Sequence, residues 1–260
     1  MIGIFDSGVG GMTVARAVES LLPDLQILYY GDLARTPYGS KSPETIIDYS
    51  IINTEFLLNH GAQAIIIACN SAASVASEIL RQKFEVPIFE VISPAVDRAV
   101  TSTHSGNIGI IGTRATVRSE IYEQKIMQKA PELRVFSQAC PLLVPLVEEG
   151  WIDARETKMI LKKYLAPLKQ KQIDTLVLGC THYPLLKDLI QHRVGKKKIS
   201  LIDSSIEVAL TLQTYLNENP DFNKNLQYGS VNKYFVSDIT KAATNTAEKI
   251  FGRHIDLIKV

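Results

Sequence analysis

The chain has 260 residues, 46% of them apolar and 21% charged, and 28 basic against 27 acidic side chains leave a net charge of +1. That balance describes a globular protein of one or two domains and excludes the basic footprint of a nucleic-acid binder or a polybasic membrane anchor. No run is long and apolar enough to cross a bilayer, and the start lacks the basic region of a secretory leader. With three cysteines in no framework spacing, a reducing cytoplasm is the expected location. The Lys196-Lys197-Lys198 run reads as a solvated turn before a strand.

In chain order, a strand over Ile2–Phe5 runs into FDSGVGG and a helix over Met12–Leu22. A second strand, Gln26–Tyr30, precedes the turn-rich GDLARTPYGS, where Tyr38 and Gly39 lie on a loop able to close over a ligand or form an ordinary turn. A helix over Pro43–His60 leads to a strand over Ala64–Ala68, then Cys69, Asn70 and Ser71, a helix over Ala73–Lys83 and a strand over Ile88–Ile92. Past the polar stretch Thr103–Asn107 come a strand over Ile108–Ile111, then Thr113 and Thr116 at a helix start, and the helix Thr116–Lys129. Next are a strand over Arg134–Ser137, the acidic pair Glu148 and Glu149, and a helix over Asp153–Lys171. The strand Thr175–Leu178 ends in Cys180, Thr181, His182 and Tyr183. Ile199–Ile202, a helix over Ile206–Asn217 and a strand over Lys233–Phe235 complete the pattern. Uninterrupted apolar strands alternating with helices predict an α/β fold of mostly parallel sheets covered on both faces, with ligands beyond the carboxyl ends of the strands.

The order repeats. Matching residues lie 106, 108, 111 and 111 positions apart (Ile2 to Ile108, Pro23 to Pro131, Cys69 to Cys180, Ile88 to Ile199). This predicts two similar α/β halves, with a boundary near Ser93-Pro94 or in Thr103–Asn107 and an unmatched tail that packs back on the first half. Cys69 and Cys180 then hold equivalent places on the two walls of a shared cleft.

Each of these cysteines follows a buried strand and precedes a helix, where the dipole and N–H donors are expected to lower a thiol pKa. Cys140, in QACPLL with no polar companion, reads as core filler. His182 beside Cys180 lacks a second ligand pair of zinc-like spacing, so no metal is expected. A Cys–His nucleophile for acyl transfer would leave the second thiol without a task. Opposed thiols suit removing a proton from one face of a carbon and delivering one to the other. Asp6 and Ser7 either bind an ammonium group, assist a thiol or cap the following helix. The glycines of FDSGVGG allow close backbone approach, but their spacing is neither GxGxxG nor a P-loop. No lysine stands out as a Schiff-base site, so no cofactor is expected.

FDSGVGG, PYG, ACNSA and GCTHYPLL, in this order over nearly the whole chain, resemble the glutamate racemases of the cofactor-independent aspartate/glutamate racemase superfamily. ACNSA departs from the more usual ACNTA while keeping the hydroxyl. The resemblance implies two-base interconversion of L- and D-glutamate, supplying D-glutamate for peptidoglycan, with Cys69 taking the α-proton of the D-isomer and Cys180 that of the L-isomer. Asp6 would support Cys69, and His182 would support Cys180 with Glu148 behind it. Asp6, Ser7, Tyr38, Gly39, Asn70, Ser71, Thr113, Thr116, Thr181 and His182 would form the substrate-binding set. Two similar domains are implied, 1–92 plus 207–260 and 93–206, each a mostly parallel sheet flanked by helices, with the active site in the cleft between them. A homodimer is the implied assembly. A racemase for aspartate or another amino acid is the near alternative, and a non-catalytic two-lobed ligand-binding protein the distant one.

Overall fold

The computed structural model describes residues 1–195, 199–229 and 231–260, so the lysine run at 196–198 lies outside the described residues. The first third lays down β1 (Ile2–Asp6), α1 (Met12–Leu21), β2 (Ile27–Gly31), α2 (Pro43–Asn59), β3 (Ala64–Ile67), α3 (Asn70–Lys83) and β4 (Ile88–Glu90). The middle holds α4 (Ile92–Ser102), β5 (Asn107–Gly112), α5 (Arg114–Arg118), α6 (Ile121–Lys129), β6 (Arg134–Ala139) and α7 (Leu143–Glu148). It continues through α8 (Arg155–Gln170), β7 (Thr175–Gly179), α9 (Lys187–Val194) and β8 (Ser200–Asp203). The last part is α10 (Ser204–Glu218), α11 (Pro220–Lys224), β9 (Lys233–Val236), α12 (Lys241–Phe251) and β10 (Leu257–Lys259), and short 3-10 turns span Leu33–Arg35, Tyr38–Ser40 and Tyr183–Leu186.

These strands form two sheets, β10-β9-β2-β1-β3-β4 and β6-β5-β7-β8, with every named pairing parallel. The order β2-β1-β3-β4 in one sheet repeats as β6-β5-β7-β8 in the other, so the internal duplication is visible in topology. β9 and β10 extend the first sheet beyond β2. Central strands are buried on both faces: Ile65, Ile66 and Ile67 have no exposed surface. Each such side chain contributes roughly 2 kcal/mol of transfer free energy.

Several elements depart from the pattern read along the chain. The strand expected to reach Ile92 stops at Glu90, because the Glu90 carboxylate turns back and accepts from the backbone N–H of Ile92 at 2.5 Å and Ser93 at 2.9 Å. That carboxylate starts α4. The single helix expected over Thr116–Lys129 is two, broken where Glu120 adopts φ 54°. α3 begins at Asn70 rather than Ala73, which makes Cys69 its cap residue. The turn at Thr103–Asn107 is pinned by Asp174, which accepts from the Thr103 hydroxyl at 2.6 Å and the N–H groups of His104 and Ser105 at 2.7 and 2.6 Å. Among the described residues no helix is long and apolar enough to cross a membrane.

Candidate active site

β1, β3, β5 and β7 all point their carboxyl ends at the seam between the two sheets. Parallel strands require this, because every crossover must return to the same edge. Asp6 closes β1, Cys69 follows β3, Thr113 follows β5 and Cys180 follows β7. A narrow cavity of about 20 Å³ lies at this seam, bordered by Ser7, Tyr38, Gly39, Cys69, Asn70, Ser71, Thr113, Cys180, Thr181 and His182, together with Thr36, Pro37 and Val144. Room for about one water is all it offers.

Around Cys69, the thiol donates to Ser7 Oγ at 3.6 Å. Its pKa moves opposite to the direction expected at a helix start. Burial, then the Asp6 carboxylate, push the thiol up to about 12, against the Ser7 hydroxyl and the Ala72 N–H. Desolvation outweighs the helix terminus here, because Cys69 is only 5% exposed.

Asp6 lies beneath the cavity with no exposed surface. Burial raises its pKa, opposed by the charge of His182 and by donors on Gly8, Gly11 and Thr181. Its Oδ2 accepts the Gly8 N–H at 2.9 Å and its Oδ1 the Thr181 hydroxyl at 3.3 Å. One carboxylate therefore ties the FDSGVGG loop to the CTHY loop. Thr13 adds a second tie, its hydroxyl donating to Gly10 O at 2.8 Å and Thr181 O at 3.1 Å.

On the other wall, His182 Nε2 meets Glu148 Oε1 at 3.2 Å. Burial pulls the imidazole pKa down, but hydrogen bonds to Cys180 and Glu148 and their charges outweigh it, and the ring titrates at about 10. A buried imidazolium thus stands beside the second sulfur at neutral pH. Glu148 does not border the cavity; it reaches His182 from α7, on the outer side.

Three further residues singled out in the sequence have other placements. Tyr38 borders the cavity, yet its hydroxyl turns away to Asp32 Oδ2 at 2.5 Å and also accepts from Asn53 Nδ2 at 3.0 Å. Thr116 stands behind Thr113, whose hydroxyl accepts its N–H at 3.2 Å as the α5 cap. Gly39 presses on Thr113 across the seam: a Cβ there would lie 2.7 Å from Thr113 Cβ. Ser71 and Thr113 share a hydrogen bond at 2.8 Å over the same seam.

Residues not anticipated include Thr36, Pro37 and Val144 on the cavity, Thr13 and Tyr122 across the seam, and Asp32. Asp32 had a readable signal, an acid at the end of an apolar strand, one residue beyond the place Asp6 holds in the neighbouring strand. Thr36 and Pro37 directly precede the Tyr38-Gly39 pair already singled out, and the remaining three carry no signal, since their partners are distant in sequence. Among the described residues no group of three or more His, Cys, Asp or Glu side chains is placed to hold a metal ion.

Two duplicated α/β lobes with parallel sheets and one cysteine each at a shared seam define the class, a two-lobed α/β protein with a candidate site in the cleft between the lobes. Comparison with known proteins agrees with this geometry. Residues 12–211 match the family model for Asp/Glu/Hydantoin racemase. A glutamate racemase of Persephonella marina is 45% identical over 259 residues, spanning 100% of this chain and 96% of its own. The crystal structure of a Bacillus anthracis glutamate racemase isoform superposes with a TM-score of 0.93 at 35% identity, covering 100% of this chain and 97% of its own. That of Francisella tularensis, in complex with D-glutamate, gives 0.90 at 34% identity and covers 100% and 96%. The chain belongs to the Asp/Glu/hydantoin racemase family of amino-acid isomerases, on the branch of the glutamate racemases.

Proposed function

We propose that this chain interconverts L- and D-glutamate by moving the α-proton between two thiols, and so supplies D-glutamate for peptidoglycan. The observation that carries the proposal is that Cys69 and Cys180, one from each lobe, border one narrow cavity with hydroxyl and amide groups around them. In the direction from D to L, Cys69 as thiolate takes the α-proton on one face, and the Cys180 thiol gives its proton to the opposite face of the carbanion. One sulfur ends protonated and the other ionised, so exchange with solvent resets the pair between turnovers.

The α-proton of an amino acid is a weak acid, so carbanionic charge needs oriented donors in a water-excluded site. His182 stands beside Cys180 as its hydrogen-bond partner, while Glu148 holds the ring. Asp6 braces the Cys69 side through Gly8 and Thr181. Ser7, Asn70, Ser71, Thr113 and Thr181 offer donors and acceptors to the substrate's ammonium and carboxylates. Tyr38 and Gly39 shape the loop over it, and Thr116 holds Thr113. A cavity of about 20 Å³ cannot admit glutamate, so the lobes, divided as 1–92 plus 207–260 and 93–206, open and close in each cycle.

The deciding assay follows racemisation by circular dichroism and deuterium uptake at Cα in D₂O, with glutamate and aspartate offered separately. Cys69→Ala and Cys180→Ala are each expected to abolish turnover of glutamate; full activity in either variant would falsify the two-thiol scheme. Preference for aspartate would move the assignment within the family. The proposal extends to a cytoplasmic homodimer, and light scattering that finds a monomer would remove that part.

A further inference from the structure

Asn70, the first residue of α3, carries a buried amide with only one end satisfied. Its Oδ1 accepts the Tyr122 hydroxyl at 2.7 Å, whereas its Nδ2 is shut from solvent without a hydrogen-bond partner. Tyr122 belongs to α6, on the opposite lobe, and is 1% exposed. Buried polar groups are paired as a rule, so an orphan amide nitrogen on the wall of a cavity marks a donor kept for something that enters. Asn70 borders the cavity shared by the two thiols.

The direction of the amide follows from the hydroxyl. A phenolic proton needs an acceptor, and Asn70 Oδ1 supplies it. Turning the amide over would point its N–H₂ at the phenol and strand the phenolic proton instead. The Tyr122 ring also packs at the other motif, since a Cβ on Gly179, just before Cys180, would meet Tyr122 Cε2 at 3.4 Å.

We infer that Tyr122 is a positioning residue that reaches across the seam to lock the Asn70 amide with its N–H₂ toward the cavity, reserving that donor for a carboxylate oxygen of the substrate. The inference rests on the racemase reading above and adds a residue of the second lobe to the binding of a ligand held by the first. Donor and acceptor sit on different lobes, so the amide is aligned only when the cleft is closed.

A double-mutant cycle on the full chain tests it, with Tyr122→Phe, Asn70→Ala and the double variant compared in kcat, KM and melting temperature. Tyr122→Phe keeps the ring and loses one neutral hydrogen bond, so KM for glutamate should rise roughly two- to tenfold with kcat less affected. In the Asn70→Ala background the same change should do nothing further. Additive losses overturn the inference, because Tyr122 would then act through packing alone. Should Tyr122→Phe fail to fold, Asn70→Asp decides: it keeps the acceptor for Tyr122 but places an acceptor and a charge where a donor is needed. An increase in KM on the order of 100-fold at unchanged melting temperature is expected from an unpaired, like-charged contact; an unchanged KM overturns the inference. If the wild-type chain binds glutamate by calorimetry but does not racemise it, the catalytic reading fails alone and the cycle is read in binding constants.

Discussion

Gly10→Ala should cripple the enzyme while Gly8→Ala, two residues away in the same motif, should not. A methyl group at residue 10 would lie 2.4 Å from His182 Nδ1, 2.5 Å from its Cε1 and 2.6 Å from Thr181 Oγ1. Ordinary contact begins near 3.4 Å, so something must yield by 3.4 − 2.4 = 1.0 Å. The imidazole is poorly free to do so: it is 3% exposed and its Nε2 is held by Glu148 at 3.2 Å. Thr181 is held from two sides, by Asp6 on its hydroxyl and Thr13 on its carbonyl. On the proposed roles, displacing His182 by about 1 Å should cost on the order of 100-fold in rate, and overpacking costs about 1–3 kcal/mol of stability. At residue 8 the nearest atom would be Thr36 Oγ1 at 3.3 Å, the end of a side chain that needs to give only slightly. Turnover of both variants is followed in both directions by circular dichroism, beside thermal melts. The reasoning is refuted if Gly10→Ala matches Gly8→Ala in kcat/KM and in melting temperature. His182 would then not depend on that backbone for its place.

Glu148→Gln removes one of the charges that raise His182 to about 10. A lost opposite charge lowers such a pKa by roughly 1–3 units, so the alkaline limb of the kcat/KM profile should move toward neutral pH. Because the folded pKa of His182 lies above the ordinary 6.5, its stabilising contribution is complete below pH 6.5 and lost as pH rises toward 10. An unmoved alkaline limb would detach Glu148 from His182. Asp174→Asn tests the turn before β5. Burial opposes the ionised form, but the Thr103 hydroxyl and the N–H groups of Ser105 and His104 hold this carboxyl down at about 2. Its stabilisation is full above the ordinary 3.8 and disappears as pH falls toward 2. Discounted for its partial exposure, the substitution should cost about 1 kcal/mol, read as a melting temperature lower by about 2–4 °C at pH 7. At pH 2, near the folded-state pKa, the difference should have shrunk to a small part of its pH 7 size, and one that stays undiminished there would contradict the linkage.

What could be read along the chain was whatever depended on neighbours in sequence. IGIF, AIII and TLVL announce strands because a parallel strand buried on both faces needs an unbroken apolar run. Cys69 and Cys180 stood out because a sheet ends and a helix or turn begins at each. The tie from Thr13 to Thr181 was invisible, because nothing in MTVARAVES distinguishes a hydroxyl that reaches another loop 168 residues away. Val144, in an apolar run, gave no sign of bordering a cavity, and Tyr122 looked like any aromatic on an amphipathic helix. The strand expected over Ile88–Ile92 overruns into α4 because IFEVI continues the apolar pattern of a strand. The buried Glu90 carboxylate overrides that pattern by binding the N–H groups that follow. α12, KAATNTAEKIF, has the Ala, Lys and Glu content of a helix, is capped by Thr240 and packs against α1.

The direction of the Cys69 pKa bears on how a thiol can act on a carbon acid at all. A helix terminus that lowered it would give more thiolate but a weaker base. At Cys69 the opposite holds, with burial and Asp6 taking the thiol from the ordinary 9.0 to about 12. That difference corresponds to about 4 kcal/mol of added basicity, which narrows the gap to a weakly acidic α-proton. The cost is that little thiolate forms while the cleft is shut. Opening removes part of the desolvation that raises the pKa, and opening is also required before glutamate can enter a space of about 20 Å³. On the proposed chemistry, ionisation therefore belongs to the open, wet cleft, and closure over the substrate both expels water and turns a moderate thiolate into a strong base. Asp6 fits this division: it borders no solvent, opposes the thiolate electrostatically, and binds the Thr181 hydroxyl across the seam, so it strengthens the base as the lobes meet.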